Sequence, residues 1–217
     1  MLTSDRLIAR HPRLWHMTDA RNWASIERFG LLSTSALLDR FGVAGAERAA
    51  IESAHRPATV PIGHPEFGPA FVRDQAPLHP EVLPACLTDM TPQAWLETLN
   101  GRVFFWPTEE RLLRMLKVYL RTEQAVFEVD TARFLVRYAE RVELSHINSG
   151  FASPAYRPAA RGSETFLPIA AYPERASFAV AEVTVPGGVP DIFDLTVRVT
   201  GRVRGREDRL IWGEPVG

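Results

Sequence analysis

Helical patterns dominate the first half of this chain, and strand patterns dominate the second half. Amphipathic helices are predicted at WASIERF, TPQAWLETLNG and EERLLRMLKVYLR, because apolar residues recur there at three- and four-residue spacing. The segments QAVFEVD, SFAVAEVTV and DLTVRVTGRVRG are instead apolar or alternating, which is typical of strands. Since helices and strands are largely segregated along the chain, the sequence predicts an α+β fold with a mixed, mostly antiparallel sheet.

We expect one domain that spans residues 1–217, because no linker-like segment divides the chain. A hydrophobic content of 46% is enough for a sizeable core, and a net charge of −1 gives no overall attraction for nucleic acid. No apolar leader and no long apolar window is present in the sequence. These features favour a cytoplasmic protein without membrane contact.

Several kinds of catalytic chemistry lack their usual sequence pattern in this chain. Cys86 is the only cysteine, so disulfides and multi-cysteine zinc sites are excluded, and a buried structural thiol is expected. His55, His64 and His79 lie in a Pro- and Gly-rich stretch, residues 55–84, which is predicted to be a long loop. Their spacings fit no metal-ligand pattern. Nucleophile elbows and glycine-rich phosphate loops are also absent from the sequence. We therefore predict no metal site and disfavour a hydrolase.

Three short segments remain as candidates for a functional site. His16 and Thr18 are two positions apart in a predicted strand, so their side chains share one face and could bind a sugar hydroxyl or an amide. Trp106 ends the apolar strand RVFFW, where its ring could stack on a planar heterocycle. Glu164 follows a long predicted loop, residues 148–163, and opens a predicted strand. Each also has a structural interpretation: a half-buried histidine, a core aromatic residue and a surface glutamate.

The segment HMTDARNWASIERFGLLS resembles the opening of the DarT-like ADP-ribosyltransferases, in which a His-x-Thr strand leads into a helix and a Gly-Leu pair. The chain as a whole resembles an uncharacterised bacterial family through five further motifs. These motifs are found at residues 73–77, 99–106, 110–112, 148–150 and 161–166. The resemblance implies an ADP-ribosyltransferase-like fold.

The resemblance also implies a binding mode for NAD as a substrate. His16 would contact the ribose or the nicotinamide amide, Thr18 would support it, and Trp106 would stack on the nicotinamide ring. Arg73 or Arg161 would face the pyrophosphate, for which a guanidinium group offers a bidentate donor pair.

By the same resemblance Glu164 and His16 would be the catalytic residues, and the loop at 148–163 would present the acceptor. The acceptor would be a nucleic acid or a protein, and the enzyme would act as a toxin or defence factor that an antitoxin could inhibit. The alternative is a non-catalytic module of the same fold that binds nucleotides or nucleic acid. Four arginines from Arg198 to Arg206 could contact nucleic acid, although such a run more often forms a solvated face.

Overall fold

Two four-stranded sheets form the centre of the fold in the computed structural model, which describes residues 1–119 and 121–213. The first sheet has the order β1-β6-β11-β12, and the second has the order β5-β9-β7-β8. The strands of these two sheets are β1 (Arg13–Asp19), β5 (Arg102–Phe105), β6 (Gln124–Asp130), β7 (Glu143–Ser145), β8 (Leu167–Pro168), β9 (Glu182–Pro186), β11 (Thr196–Arg202) and β12 (Arg209–Gly213).

Two small ribbons complete the strands in the described part of the chain. One pairs β2 (Leu31–Leu32) with β10 (Gly188–Val189), and the other pairs β3 (Val60–His64) with β4 (Gly68–Val72). Every ladder in residues 1–119 and 121–213 is antiparallel, and parallel pairing occurs there only as isolated bridges. The α+β class with a mostly antiparallel sheet is therefore confirmed.

Helices cover the sheets and the connections between them. They are α1 (Ser4–Arg10), α2 (Trp23–Phe29), α3 (Thr34–Arg40), α4 (Gly45–Glu52), α5 (Leu83–Cys86), α6 (Pro92–Asn100), α7 (Glu109–Tyr119), α8 (Thr131–Tyr138) and α9 (Ile192–Leu195). The helix predicted at 109–121 is thus α7, and Leu120 lies outside the described residues. No helix in the described ranges is both long and apolar enough to span a bilayer.

The main core lies between the two sheets and α8. Phe105 from β5 packs edge-on against Phe134 of α8, and Phe127 of β6 stacks on Trp23. Phe105 and Phe127 are fully buried in the main hydrophobic core. Val183 of β9 is fully buried in the same core. Leu14 of β1 belongs to the same core, so the core holds β1, β5 and β9 in fixed relative positions, and these strands carry the candidate site.

The Pro- and Gly-rich stretch 55–84 is not the long loop that its composition predicts. It contains the β3–β4 hairpin, and Ile62, Ala70 and Val72 of this hairpin are buried in a cluster with α3 and α4. Pro61 and Pro69 are tolerated because a two-stranded ribbon leaves one side of each strand without ladder hydrogen bonds.

The strand predicted to open at Glu164 is also placed differently. Ser163–Thr165 forms a 3₁₀ turn, and the strand β8 begins only at Leu167. The Gly162 amide donates to Thr165 Oγ1 at 2.8 Å, and the Ser163 amide donates to Asp89 Oδ1 at 3.0 Å. The first of these hydrogen bonds is local and favours a turn over an extended conformation, and the second fixes the turn to the segment before α6.

Candidate functional site

A cavity of about 300 Å³ lies at the junction of the two sheets, which is the lower end of the size range for small-molecule sites. Its wall includes residues of β1, β2, β4, β5, β9, α2 and α7, and of the segments that precede α2 and follow α4, β4 and β7. Polar and charged side chains in the wall include His16, Thr18, Asn22, Arg56, Arg73, Asp74, Tyr119, Asn148 and Glu182.

The cavity begins where β1 and β5 stop pairing. Trp15 and Trp106 exchange two backbone hydrogen bonds of 2.9 and 2.7 Å, and this bridge is the pairing between the two sheets in the described residues. In a continued antiparallel ladder the Phe104 carbonyl would face the Met17 amide. Instead it accepts from His16 Nδ1 at 2.8 Å. The histidine side chain thus stands between the strands where the ladder ends.

The backbone of Met17 also faces the cavity. Amide and carbonyl groups alternate in direction along a strand, so those of Met17 point to the same side as those of Trp15, away from β6. Met17 is among the cavity-lining residues, while its side chain packs with Leu112 and Leu116 of α7. One donor and one acceptor of the main chain therefore flank His16.

His16 is neutral and has a defined tautomer. Its burial lowers the pKa to about 4, against the opposing effect of the hydrogen bond to Phe104. A carbonyl oxygen cannot donate, so Nδ1 carries the proton and Nε2 is left as an acceptor. His16 therefore offers a hydrogen-bond acceptor of fixed orientation to a ligand hydroxyl.

Thr18 is held by Asn22, which follows it at the start of α2. Asn22 Nδ2 donates to Thr18 Oγ1 at 3.2 Å and to the Phe71 carbonyl at 3.0 Å, and Asn22 Oδ1 accepts from the Phe71 amide. Since Thr18 Oγ1 accepts from Asn22, its own proton is available for a ligand. The same amide side chain fixes β4 against β1.

Arg73 is a half-buried cation in the cavity wall. It donates to Gln124 Oε1, and its guanidinium lies 4.5 Å from the centre of the Tyr119 ring. Burial lowers its pKa, and the charge of Asp74 opposes this effect. No carboxylate in the described part of the chain forms an ion pair with Arg73. The remaining donors of this group can therefore bind an anion.

Arg56 supports this wall from behind. It is 5% exposed and donates to the Arg73 carbonyl at 3.0 Å, to Asn100 Oδ1 at 2.9 Å and to the Ile51 carbonyl. Its donors are thus directed at protein acceptors. We assign it a positioning role for the segment that carries Arg73.

Glu182, the first residue of β9, is a lining residue that the sequence analysis did not identify. It is 4% exposed, accepts from Ser149 Oγ at 2.6 Å and accepts from the Ser149 amide at 3.2 Å. Burial raises its pKa to about 7, against the opposing effect of the Ser149 hydrogen bonds. Both protonation states are therefore accessible near neutral pH. The sequence does contain an indication of Glu182, because it is the one acidic residue in the apolar strand AVAEVTV. An unpaired carboxylate buried in such a strand would destabilise the fold.

Four of the six predicted site residues line this one cavity: His16, Thr18, Arg73 and Trp106. The other two are placed elsewhere. Arg161 is 3% exposed and donates to the carbonyls of Ser149 and Phe151, so it holds the backbone of the residue that contacts Glu182. Glu164 is exposed on its 3₁₀ turn and is not among the cavity-lining residues.

The remaining candidates have structural partners. Cys86 is buried and its Sγ contacts the Leu83 carbonyl at 3.1 Å. Arg198 is paired with Glu128, and Arg202 is paired with Asp208, so half of the arginine run is neutralised. Within residues 1–119 and 121–213 no cluster of three or more His, Cys, Asp or Glu side chains could hold a metal ion.

A family model matches residues 12–196, and its description is a family of unknown function (DUF7002). The matched range includes all the polar lining residues named above. The expectation of an uncharacterised family is confirmed by this match. No curated protein matches the chain.

Proposed function

The chain belongs to this family of unknown function, and we propose that its cavity binds NAD and transfers ADP-ribose from it to an acceptor. One observation carries the proposal. A neutral, half-buried imidazole, a half-buried guanidinium without a carboxylate partner in the described residues and a buried carboxyl line the same cavity. These groups suit, respectively, a sugar hydroxyl, a phosphate and the positive charge that develops on a ribose. The resemblance to DarT-like enzymes adds weight to the same interpretation.

In this proposal the nicotinamide riboside half of NAD lies at the end of the cavity at β1. A ribose hydroxyl can donate to His16 Nε2, and Thr18 can donate its own hydroxyl proton. The carboxamide needs one acceptor and one donor, which the Met17 carbonyl and amide supply. Trp106 offers a half-buried ring beside them for stacking on the pyridine ring.

The reaction follows from the position of Glu182. The bond between ribose C1′ and the nicotinamide nitrogen breaks, and its electron pair neutralises the pyridinium. The sugar passes through an oxocarbenium-like state, which an ionised Glu182 stabilises across a buried, low-dielectric site. The acceptor then forms a bond to C1′ and loses its proton to Glu182 or to water. Ser149 and Arg161 keep the carboxylate in place during this sequence.

Arg73→Gln is expected to weaken NAD binding about tenfold or more, because it removes charged hydrogen bonds to the pyrophosphate. Nicotinamide riboside has no phosphate, so its affinity should change little. Isothermal titration of both ligands against wild type and variant measures the two effects. Equal weakening of both ligands, or unchanged NAD affinity, would contradict the assignment of Arg73.

The rate of nicotinamide release is expected to depend on pH through Glu182. Its pKa is raised to about 7, so the reactive carboxylate becomes more populated as pH rises. The value of kcat/KM should therefore increase about tenfold per pH unit below pH 7 and level off above it. His16 is already neutral throughout this range. A profile that is flat from about pH 5 to pH 8 would contradict this role.

NAD binding without any nicotinamide release would favour the alternative, a nucleotide-binding module of the same fold. With release established, an assay with DNA, RNA and cell lysate identifies the acceptor. A toxin or defence role is the biological setting that we propose for such a transferase, and an antitoxin would then need to block this cavity.

A further inference from the structure

One end of the cavity is lined by aliphatic side chains that the assignments above leave without a ligand group. They are Ile26 of α2, Leu31 and Leu32 of β2, Leu37 of α3, Leu99 of α6 and Val103 of β5. These elements pack on one another, because β2 contacts α2, α3 and β5, and α6 contacts α3 and β5. The six side chains therefore surround one space, the apolar end of the cavity.

The wall that β2 contributes to the apolar end has a fixed position. A Cβ atom built at Gly188 would lie 2.7 Å from the Leu31 carbonyl oxygen, and one built at Gly30 would lie 2.4 Å from the backbone of Pro190. With glycine at both positions, the backbone on either side of β2 is in direct contact with its neighbours. An apolar space between fixed walls lacks dispersion contacts, which a ligand with apolar faces would restore.

The apolar end borders the group assigned to the pyrophosphate. Asn100, which follows Leu99 at the end of α6, also lines the cavity. Its Oδ1 accepts from Arg56 at 2.9 Å, and its Nδ2 donates to the Glu52 carbonyl at 2.7 Å. Arg56 donates in turn to the Arg73 carbonyl at 3.0 Å. Two hydrogen bonds therefore connect the border of the apolar end to Arg73.

On the basis of the function proposed above, we infer that the apolar end binds the adenine base of NAD. A purine has two apolar faces, which suit the aliphatic walls, and an edge that forms hydrogen bonds. The Asn100 amide retains one proton and one lone pair beyond its bonds to Arg56 and Glu52, and this pair of groups matches the amino donor and ring-nitrogen acceptor of adenine. The pyrophosphate then lies at Arg73 and the nicotinamide riboside at β1, in the order in which NAD carries these groups.

Isothermal titration with NAD and with its two halves, adenosine monophosphate and nicotinamide mononucleotide, tests this assignment. Leu37→Trp places an indole ring in the space that adenine needs. We expect it to weaken NAD and adenosine monophosphate about tenfold or more and to leave nicotinamide mononucleotide unchanged. Leu113→Trp is the matched control, because Leu113 is exposed on α7 and does not line the cavity. It should change none of the three affinities.

Two further measurements keep the test independent of one variant. Thr34→Phe enlarges another lining residue of α3 and should have the same effect as Leu37→Trp, also in the event that the tryptophan lowers the Tm. Nicotinamide hypoxanthine dinucleotide has a carbonyl oxygen where adenine has its amino group. It should bind the wild type about tenfold more weakly than NAD, because the Asn100 amide then faces an acceptor in place of a donor.

The outcomes for the adenine site and for the transferase are distinct. Loss of nicotinamide mononucleotide binding with adenosine monophosphate binding kept in Leu37→Trp would put the nicotinamide at the apolar end and overturn the inference. Unchanged NAD affinity in both filling variants would overturn it too, while nicotinamide release would still support the transferase. Adenosine monophosphate binding that is lost in Leu37→Trp, without nicotinamide release by the wild type, would support the adenine site and contradict the transferase.

Discussion

Glu182→Gln should reduce nicotinamide release from NAD by about 10²–10³-fold while changing NAD affinity little. The amide has the size of the carboxyl group and can still accept from Ser149, so the fold and the cavity are preserved. It lacks the negative charge that would stabilise the oxocarbenium-like state. Chromatographic measurement of nicotinamide release under single-turnover conditions gives the rate, and titration gives the affinity.

Glu164→Gln is the matched control for this experiment. Glu164 is exposed on the 3₁₀ turn at Ser163–Thr165, and its carboxylate can be replaced without loss of packing. We expect wild-type rates in this variant. If Glu164→Gln abolished release and Glu182→Gln did not, the role inferred from the family resemblance would be right and our placement of the carboxylate would be wrong.

Gly30→Ala is expected to destabilise the protein by about 3 kcal/mol, the sum of backbone strain and overpacking. Gly30 ends α2 with φ 71° and ψ −162°, a conformation that is essentially restricted to glycine. A Cβ atom built there would lie 2.4 Å from the backbone of Pro190. The expected Tm decrease is roughly 6–12 °C for a protein of this size, and calorimetry measures it.

Gly42→Ala separates the two causes. Gly42 has φ 68°, but a Cβ atom there would contact nothing within 4 Å. Only the backbone cost remains, so we expect a destabilisation of about 1 kcal/mol. Equal losses of stability in the two variants would show that the approach to Pro190 does not matter.

Local features of this fold could be predicted because their causes are local. The strand around His16, the helix that ends at Gly30 and the Thr91 cap of α6 each depend on a few adjacent residues. The shared direction of His16 and Thr18 follows in the same way from strand alternation. These elements form the β1 side of the cavity.

The side of the cavity that Glu182 forms depends on long-range contacts, so it could not be predicted from neighbouring residues. Glu182 and Glu164 are both acidic residues beside apolar segments, and the sequence does not say which one is buried. Burial of Glu182 results from the pairing of Ser145 with β9 and from the Ser149 contact. The resemblance implies that Arg161 faces the pyrophosphate, yet Arg161 donates to the carbonyls of Ser149 and Phe151, 12 and 10 residues earlier in the chain.

The pairing of β1 with β6, far apart in the sequence, has a consequence for biosynthesis. Arg13 of β1 pairs with Asp130 of β6, which lies 117 residues later in the chain. Glu182 is translated later still, after the first strands of both sheets. Contacts of such separation form late and slowly in folding. A nascent chain on the ribosome therefore has no assembled cavity until β9, which carries Glu182, has been synthesised.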